Sequence, residues 1–326
     1  MRRREFIALL GGSAIAWPVA ARAQQPAMPV IGFLGIESPE SDAVRLTGIR
    51  QGLNETGYVE GRNFAFEYRG AGNQLDRLPA MAAELVHMRV AIIVTPGVAA
   101  TLAAKAATPT IPILFGLGVD PVQYGLVASL SRPGGNVTGS NQLSGELAAK
   151  ALALLHELVS KAAAIGFLQN PTNPTDAVTA RDVLAAAPAI GIKVQVLNAS
   201  TDRELDAAFE SLVPAQTAAL LVANDIFFNS RIEKIVGLAA RHAIPVMYPA
   251  REFVLAGGLT SYGGSLTELY RQIGLYAGRI FKGERPANLP VIQASKLALV
   301  INLKTAKALG LEIPAKLLAT ADEVID

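Results

Sequence analysis

Short, unbroken apolar runs, each ended by glycine, proline or asparagine and each followed by a helix-like stretch, most constrain this chain. Residues 30–36, 90–95 and 113–116 are such runs, alternating with helical patterns at 43–56, 78–88 and 99–107. An alternating strand at 64–69 and a last short one at 136–140 complete the set. A strand that is apolar at every position has both faces covered, as in a parallel sheet between two layers of helices. The pattern then begins again. Strands at 163–168, 193–197, 218–223 and 246–248 alternate with helices at 147–158, 176–187, 204–212 and 232–241. The expectation is an α/β protein: two similar doubly wound parallel-sheet units of about a hundred residues each. Glycine, serine and asparagine at 139–145 mark a hinge between them. The halves share a pattern and no sequence repeat. A tail follows, with a strand and glycine turn at 258–264, a long amphipathic helix at 266–282, a strand at 297–303 and a final helix from 305.

The residues that carry most enzyme chemistry are scarce. The 326-residue chain has no cysteine and three scattered histidines, His87, His156 and His242. Disulfides, thiolate nucleophiles, iron–sulfur clusters and cysteine zinc sites are excluded. There is no P-loop, no G-x-G-x-x-G after a strand, no H-E-x-x-H and no G-x-S-x-G. No cofactor and no metal are expected, and the other acidic residues read as solvated helix faces. The formal charge of +2 belongs to the first residues, which hold Arg2, Arg3, Arg4 and Arg22 against Glu5. The remainder is near −1, with no electrostatic footprint for nucleic acid.

Those first residues read as an address. A basic start, an apolar stretch over 6–16 and Ala21-Arg22-Ala23 before Gln24 have the build of an export signal, residues 1–23, cleaved after Ala23. Arg3-Arg4-Glu5-Phe6 resembles a twin-arginine signal, with the Sec route as the alternative. No later segment offers some twenty unbroken apolar residues, so a soluble body in a bacterial periplasm is expected.

Candidate binding residues lie where the apolar strands end, because ligands of open parallel sheets bind beyond the carboxyl ends of the strands. Those ends carry residues 35–41, 95–97, 118–121, 170–173, 198–200, 224–225 and Tyr248. Turn formation uses the same residue types, so the accumulation over both units counts for more than any single position. Two facing sets of ends form a cleft. Thr95, Pro96 and Gly97 precede a helix whose free N–H groups suit a carboxylate. Asn224-Asp225 closes the most apolar strand of the second unit, where a carboxylate can hold an ammonium group. Tyr248 and Tyr262 are candidates for an aromatic wall.

Three strings are similar to a known family. G-L-N-E-T-G-Y-V-E-G-R-N (residues 52–63), I-P-I-L-F-G-L-G-V-D-P-V (111–122) and L-S-R-P-G-G-N-V-T-G (130–139) resemble ABC-transporter substrate-binding proteins of the tryptophan/phenylalanine periplasmic type. The resemblance spans essentially the whole chain after the leader. It implies a type I periplasmic-binding fold of two lobes joined by three crossovers, residues 28–142 plus 258–285 and 146–255 plus 286–326. It further implies that Ser38 and Thr95 to Ala99 face a ligand carboxylate. Asp120 and Asp225 become candidates for its amine, and Asn170 and Asn224 add polar contacts. The function so implied is a periplasmic solute receptor that closes on a small organic ligand, an amino acid or other carboxylate, and delivers it to an ABC permease in the inner membrane. Such a receptor is monomeric or weakly oligomeric and is no enzyme. The alternatives are a ligand-sensing subunit for a membrane receptor and a secreted α/β enzyme using Asp120 or Asp225 as an acid–base group.

Overall fold

A computed structural model describes residues 28–326 apart from 143–144, 161, 213–216 and 294–296. The expected leader, residues 1–23, lies outside the described residues. No helix among them is long and apolar enough to cross a membrane.

The first unit runs β1 (Val30–Gly35), α1 (Ala43–Glu55), β2 (Ala65–Gly70), α2 (Leu78–His87), β3 (Ile92–Pro96), α3 (Gly97–Ala107), β4 (Ile113–Leu117) and β5 (Val137–Asn141). The second runs α4 (Gly145–Leu158), β6 (Ala164–Gln169), α5 (Pro174–Ala186), β7 (Lys193–Asn198), α6 (Asp202–Leu212), β8 (Ala219–Val222), α7 (Ile226–Asn229), α8 (Ile232–Arg241), β9 (Val246–Tyr248), α9 (Arg251–Leu255) and β10 (Thr260–Gly263). Then come α10 (Leu266–Phe281), β11 (Ile292–Gln293), β12 (Ala298–Asn302), α11 (Leu303–Ala308), α12 (Ala315–Thr320) and β13 (Glu323–Ile325).

The first sheet has the order β11-β5-β4-β3-β1-β2 and is wholly parallel. The second has the order β13-β12-β10-β9-β8-β6-β7, with β10 and β12 its one antiparallel pair among the described residues. Within them β2-β1-β3-β4-β5 and β7-β6-β8-β9-β10 follow the same winding, so the expected α/β class is the one observed. The central strands β3, β4 and β8 are buried at every position, because helices cover both faces. Edge strand β7 alternates lysine, valine and glutamine and stays largely open.

The chain crosses between the sheets three times, between β5 and α4, between β10 and α10 and between β11 and β12. Two boundaries differ from the expected segments. Residues 258–285 do not stay together: β10 pairs with β9 and β12 in the second sheet, and the crossing to the first unit comes just after it. Residues 286–326 do not either, since β11 pairs with β5 in the first sheet. The expected hinge at 139–145 begins inside β5, and Leu143 and Ser144 lie outside the described residues.

Helix α10 docks on α1 through glycines. A Cβ on Gly52 would run into the Arg271 carbonyl oxygen, and one on Gly274 into that of Ile49. The close crossing closes one apolar face of the first sheet with Ile31, Phe33, Ile49, Leu53, Leu114, Tyr270 and Ile273 in a single cluster.

Candidate functional site

In each unit the strand order reverses between two neighbours, β1 and β3 in the first and β6 and β8 in the second. Loops leaving such neighbours in opposite directions open a crevice at their carboxyl ends. The two crevices face each other and enclose a cavity of about 280 Å³. That is close to the lower end of small-molecule pockets, roughly 300 Å³. It is room for a single small metabolite.

The first unit gives this cavity an apolar wall and backbone N–H groups. Ile36, Leu117, Val119 and Tyr124 line it, joined by Leu269 and Tyr270 of α10. Gly97, Val98 and Ala99 open α3 at its edge. No side chain caps that helix start, and Gly97 has φ +74°, the left-handed turn from strand into helix that glycine favours. Arg45 also reaches the cavity, but Asp42 holds its guanidinium at 2.7 Å. Asp42 accepts a further bond from the Tyr68 hydroxyl at 2.6 Å.

The second unit gives it acid and amide. Asn170 follows β6, Asn173 caps α5, Asp176 sits in the first turn of α5, and Asp225 caps α7. Asn173 Nδ2 donates to Asp176 Oδ1 at 3.0 Å and to Asp225 Oδ2 at 2.7 Å. The Asn170 backbone N–H donates to Asp176 Oδ2 at 2.9 Å, and its Nδ2 to Asp225 Oδ1 at 3.2 Å. Both carboxyls are almost wholly shielded, Asp176 at 2% exposure and Asp225 at 3%. Burial raises both above the usual carboxylate range. For Asp176 the charge of Asp225 adds to that push. For Asp225 the amides of Asn173 and Asn170 and the N–H groups of Phe227 and Phe228 pull the other way.

Gly97, Ala99, Asn170, Asn224 and Asp225 are therefore brought together at one cavity, as their strand-end positions implied. The other candidates lie elsewhere. Thr95 is fully buried, its hydroxyl 2.8 Å from that of Thr101, and Pro96 supplies only the backbone before α3. Ser38 packs against Ser41, and Asp120 closes its own turn by accepting from the Val122 N–H. Tyr248 is stacked on Phe253 and shares a separate void of about 30 Å³ with Tyr262, over whose ring Lys150 stands. Neither tyrosine lines the main cavity, because β9 and β10 lie away from the β6/β8 reversal. The buried acids also correct the view of the carboxylates as solvated helix faces. Asp176 was the residue missed; its one sequence signal is a place three residues into an N-P-T-D helix start, with no basic neighbour. Arg45, Leu269 and Tyr270 gave none, since their direction depends on how α1 and α10 pack.

The units touch beside the cavity. Glu37 pairs with Arg231 at 2.9 Å, Asn73 Nδ2 donates to the Ser200 carbonyl at 3.2 Å, and the Ile226 side chain approaches Gly97.

Two α/β units with the same winding, joined by three crossings around a metabolite-sized cavity, define a two-lobed binding protein of the type I periplasmic kind. The chain belongs to the ABC transporter substrate binding protein family, whose pattern it matches over residues 31–325. It is 28% identical over 278 residues to a tyrosine-binding protein of Clostridioides difficile (strain R20291), covering 85% of this chain and 79% of that one. Among solved structures, an ABC domain from Streptococcus pneumonia in complex with L-Trp has a TM-score of 0.78 at 26% identity, covering 91% of this chain and 99% of that one. The ligand-free, open form of a substrate binding protein with adhesive properties from Clostridium difficile has a TM-score of 0.62 at 27% identity, with the same shares covered.

Proposed function

We propose that this protein is the periplasmic solute receptor of an ABC uptake system and that its ligand is an α-amino acid with a large apolar side chain. The observation that carries this reading is the polarity of the cavity. One lobe offers the uncapped start of α3, suited to a carboxylate. The other offers Asp225 and Asp176, suited to an ammonium group. The apolar side chains of Ile36, Leu117, Tyr124 and Leu269 line the same cavity. The named relatives that bind tyrosine and L-Trp support the ligand class. Residues 1–23 would direct export by the twin-arginine or Sec route. The closed lobes would be what the inner-membrane permease meets, because ligand favours that arrangement. The contacts across the cleft support closure, as does the higher TM-score to the L-Trp complex than to an open form at nearly equal identity.

Native mass spectrometry of the exported protein, followed by denaturation to identify what is released, tests the reading. An added mass matching an amino acid is the expected result. A sugar or other ligand without an amine would overturn the ligand class, and turnover of the released compound would overturn the receptor.

A further inference from the structure

The acidic end of the cavity carries one more negative group than a single ammonium requires. Asp176 and Asp225 are bridged by the same two asparagines, which draws them together rather than apart. Among the described residues no basic side chain bonds to either. Asp225 is the charged group that acts on Asp176. Arg45, on the facing wall, is held by Asp42, and Lys150 of the adjoining α4 stands over Tyr262. Two carboxylates so placed in a dry site resist being ionised together. A third acceptor waits on the same wall: Asn229 Oδ1 is buried, has no hydrogen-bond partner, and belongs to a residue lining the cavity.

We propose that Asp176 and Asp225 share one proton while the cavity is empty, and that the ligand's ammonium group takes the place of that proton. The inference rests on the amino-acid reading above and sharpens it. Empty, the pair carries one proton and a net charge of −1. Occupied, both carboxylates are ionised beside one ammonium, the net charge is again −1, and the proton has left to solvent. The exchange makes Asp176 a specificity residue, since a neutral group cannot displace the proton. It also sets the direction of the pH dependence. Burial and the neighbouring charge push Asp176 up to about 8, so the folded, empty protein keeps a proton that the unfolded chain releases in the ordinary carboxylate range. The pair's contribution to the stability of the empty protein is then greatest at low pH and falls as pH rises toward about 8, while affinity for an amine rises over the same interval.

The test uses the whole exported chain. Thermal unfolding without ligand is followed from roughly pH 5 to pH 8.5 for wild type and Asp176→Asn. Binding of L-tyrosine, L-tryptophan and L-phenylalanine is measured by calorimetry at about pH 6.5, in two buffers of different ionisation enthalpy. The expected results are a Tm that declines with pH in wild type and flattens in the variant, and release of about one proton per bound amino acid, lost in the variant. Carboxyl-carbon NMR of aspartate-labelled wild type needs no variant. It should show an aspartate titrating near neutrality that stops doing so when an amino acid is bound. Absence of any such titration, or amino-acid binding with no proton release, overturns the exchange and leaves the amino-acid reading standing. Binding of none of the three, with the titration present, overturns the amino-acid reading and the exchange with it.

Discussion

The cleft holds two buried acidic clusters, and they are built on opposite terms. In the first lobe Asp42 is fully enclosed, yet it has an arginine at 2.7 Å and a tyrosine hydroxyl at 2.6 Å. It ties the start of α1 to β2, and every charge there has its counterpart within the chain. In the second lobe Asp176 and Asp225 are just as buried but meet only amides and backbone N–H groups. A buried charge is costly unless something pairs with it. Within one chain, then, a compensated acid marks structure, and an uncompensated one beside an open cavity is where the proposed ligand would bring the missing charge.

The largest effect expected from this contrast is in the compensated cluster. Asp42→Ala leaves Arg45 buried and unpaired and should lower stability by about 3–5 kcal/mol in urea unfolding. A loss below about 1 kcal/mol would mean that Asp42 was not the counterion it looks to be. The uncompensated cluster should respond in binding instead. Asp225→Ala should weaken the best-bound amino acid by about 1.5–3 kcal/mol, read by calorimetry. Unchanged affinity would remove Asp225 from the ligand site. The smallest effect should come from Tyr248→Phe, because that hydroxyl is buried without a partner and away from the main cavity. Affinity should be unchanged and stability equal or up to about 1 kcal/mol higher. Loss of binding in that variant would move the site toward the void beside Tyr262.

The fold was legible wherever a segment was long enough to show a period. Runs such as Ile92–Pro96 and Ala219–Val222 read as buried strands because they are central, and α10 read as a helix because sixteen residues repeat one apolar face. What could not be read was short. α7 has 4 residues, α9 has 5, β11 has 2 and β13 has 3, and none completes a second period. The misplaced sheet memberships of 258–285 and 286–326 have the same source, since a two-residue strand decides one of them. At the cavity, the strand ends Gly97, Asn170 and Asp225 followed from topology alone. Arg45, Asp176 and Tyr270 sit on helices, where inward and outward are settled by the neighbour each helix finds. Thr95 and Asp120 show the converse: a strand-end residue satisfied by its own turn or helix has nothing left for a ligand.

The glycine-mediated docking of α10 on α1 bears on how the molecule assembles. α10 belongs to the first lobe but is encoded after nearly all of the second. A nascent chain that stops at Gln142 has β1 to β5 of the first lobe but neither β11 nor the helix that seals Ile49, Leu53 and Leu114 from water. The first lobe therefore cannot finish folding until most of the second has been made, and its last closure joins residues more than two hundred apart in sequence. Such distant contacts are slow to form. Severing the lobes for separate study therefore leaves the first one open along that face. The two lobes are thus, in their making, a single piece.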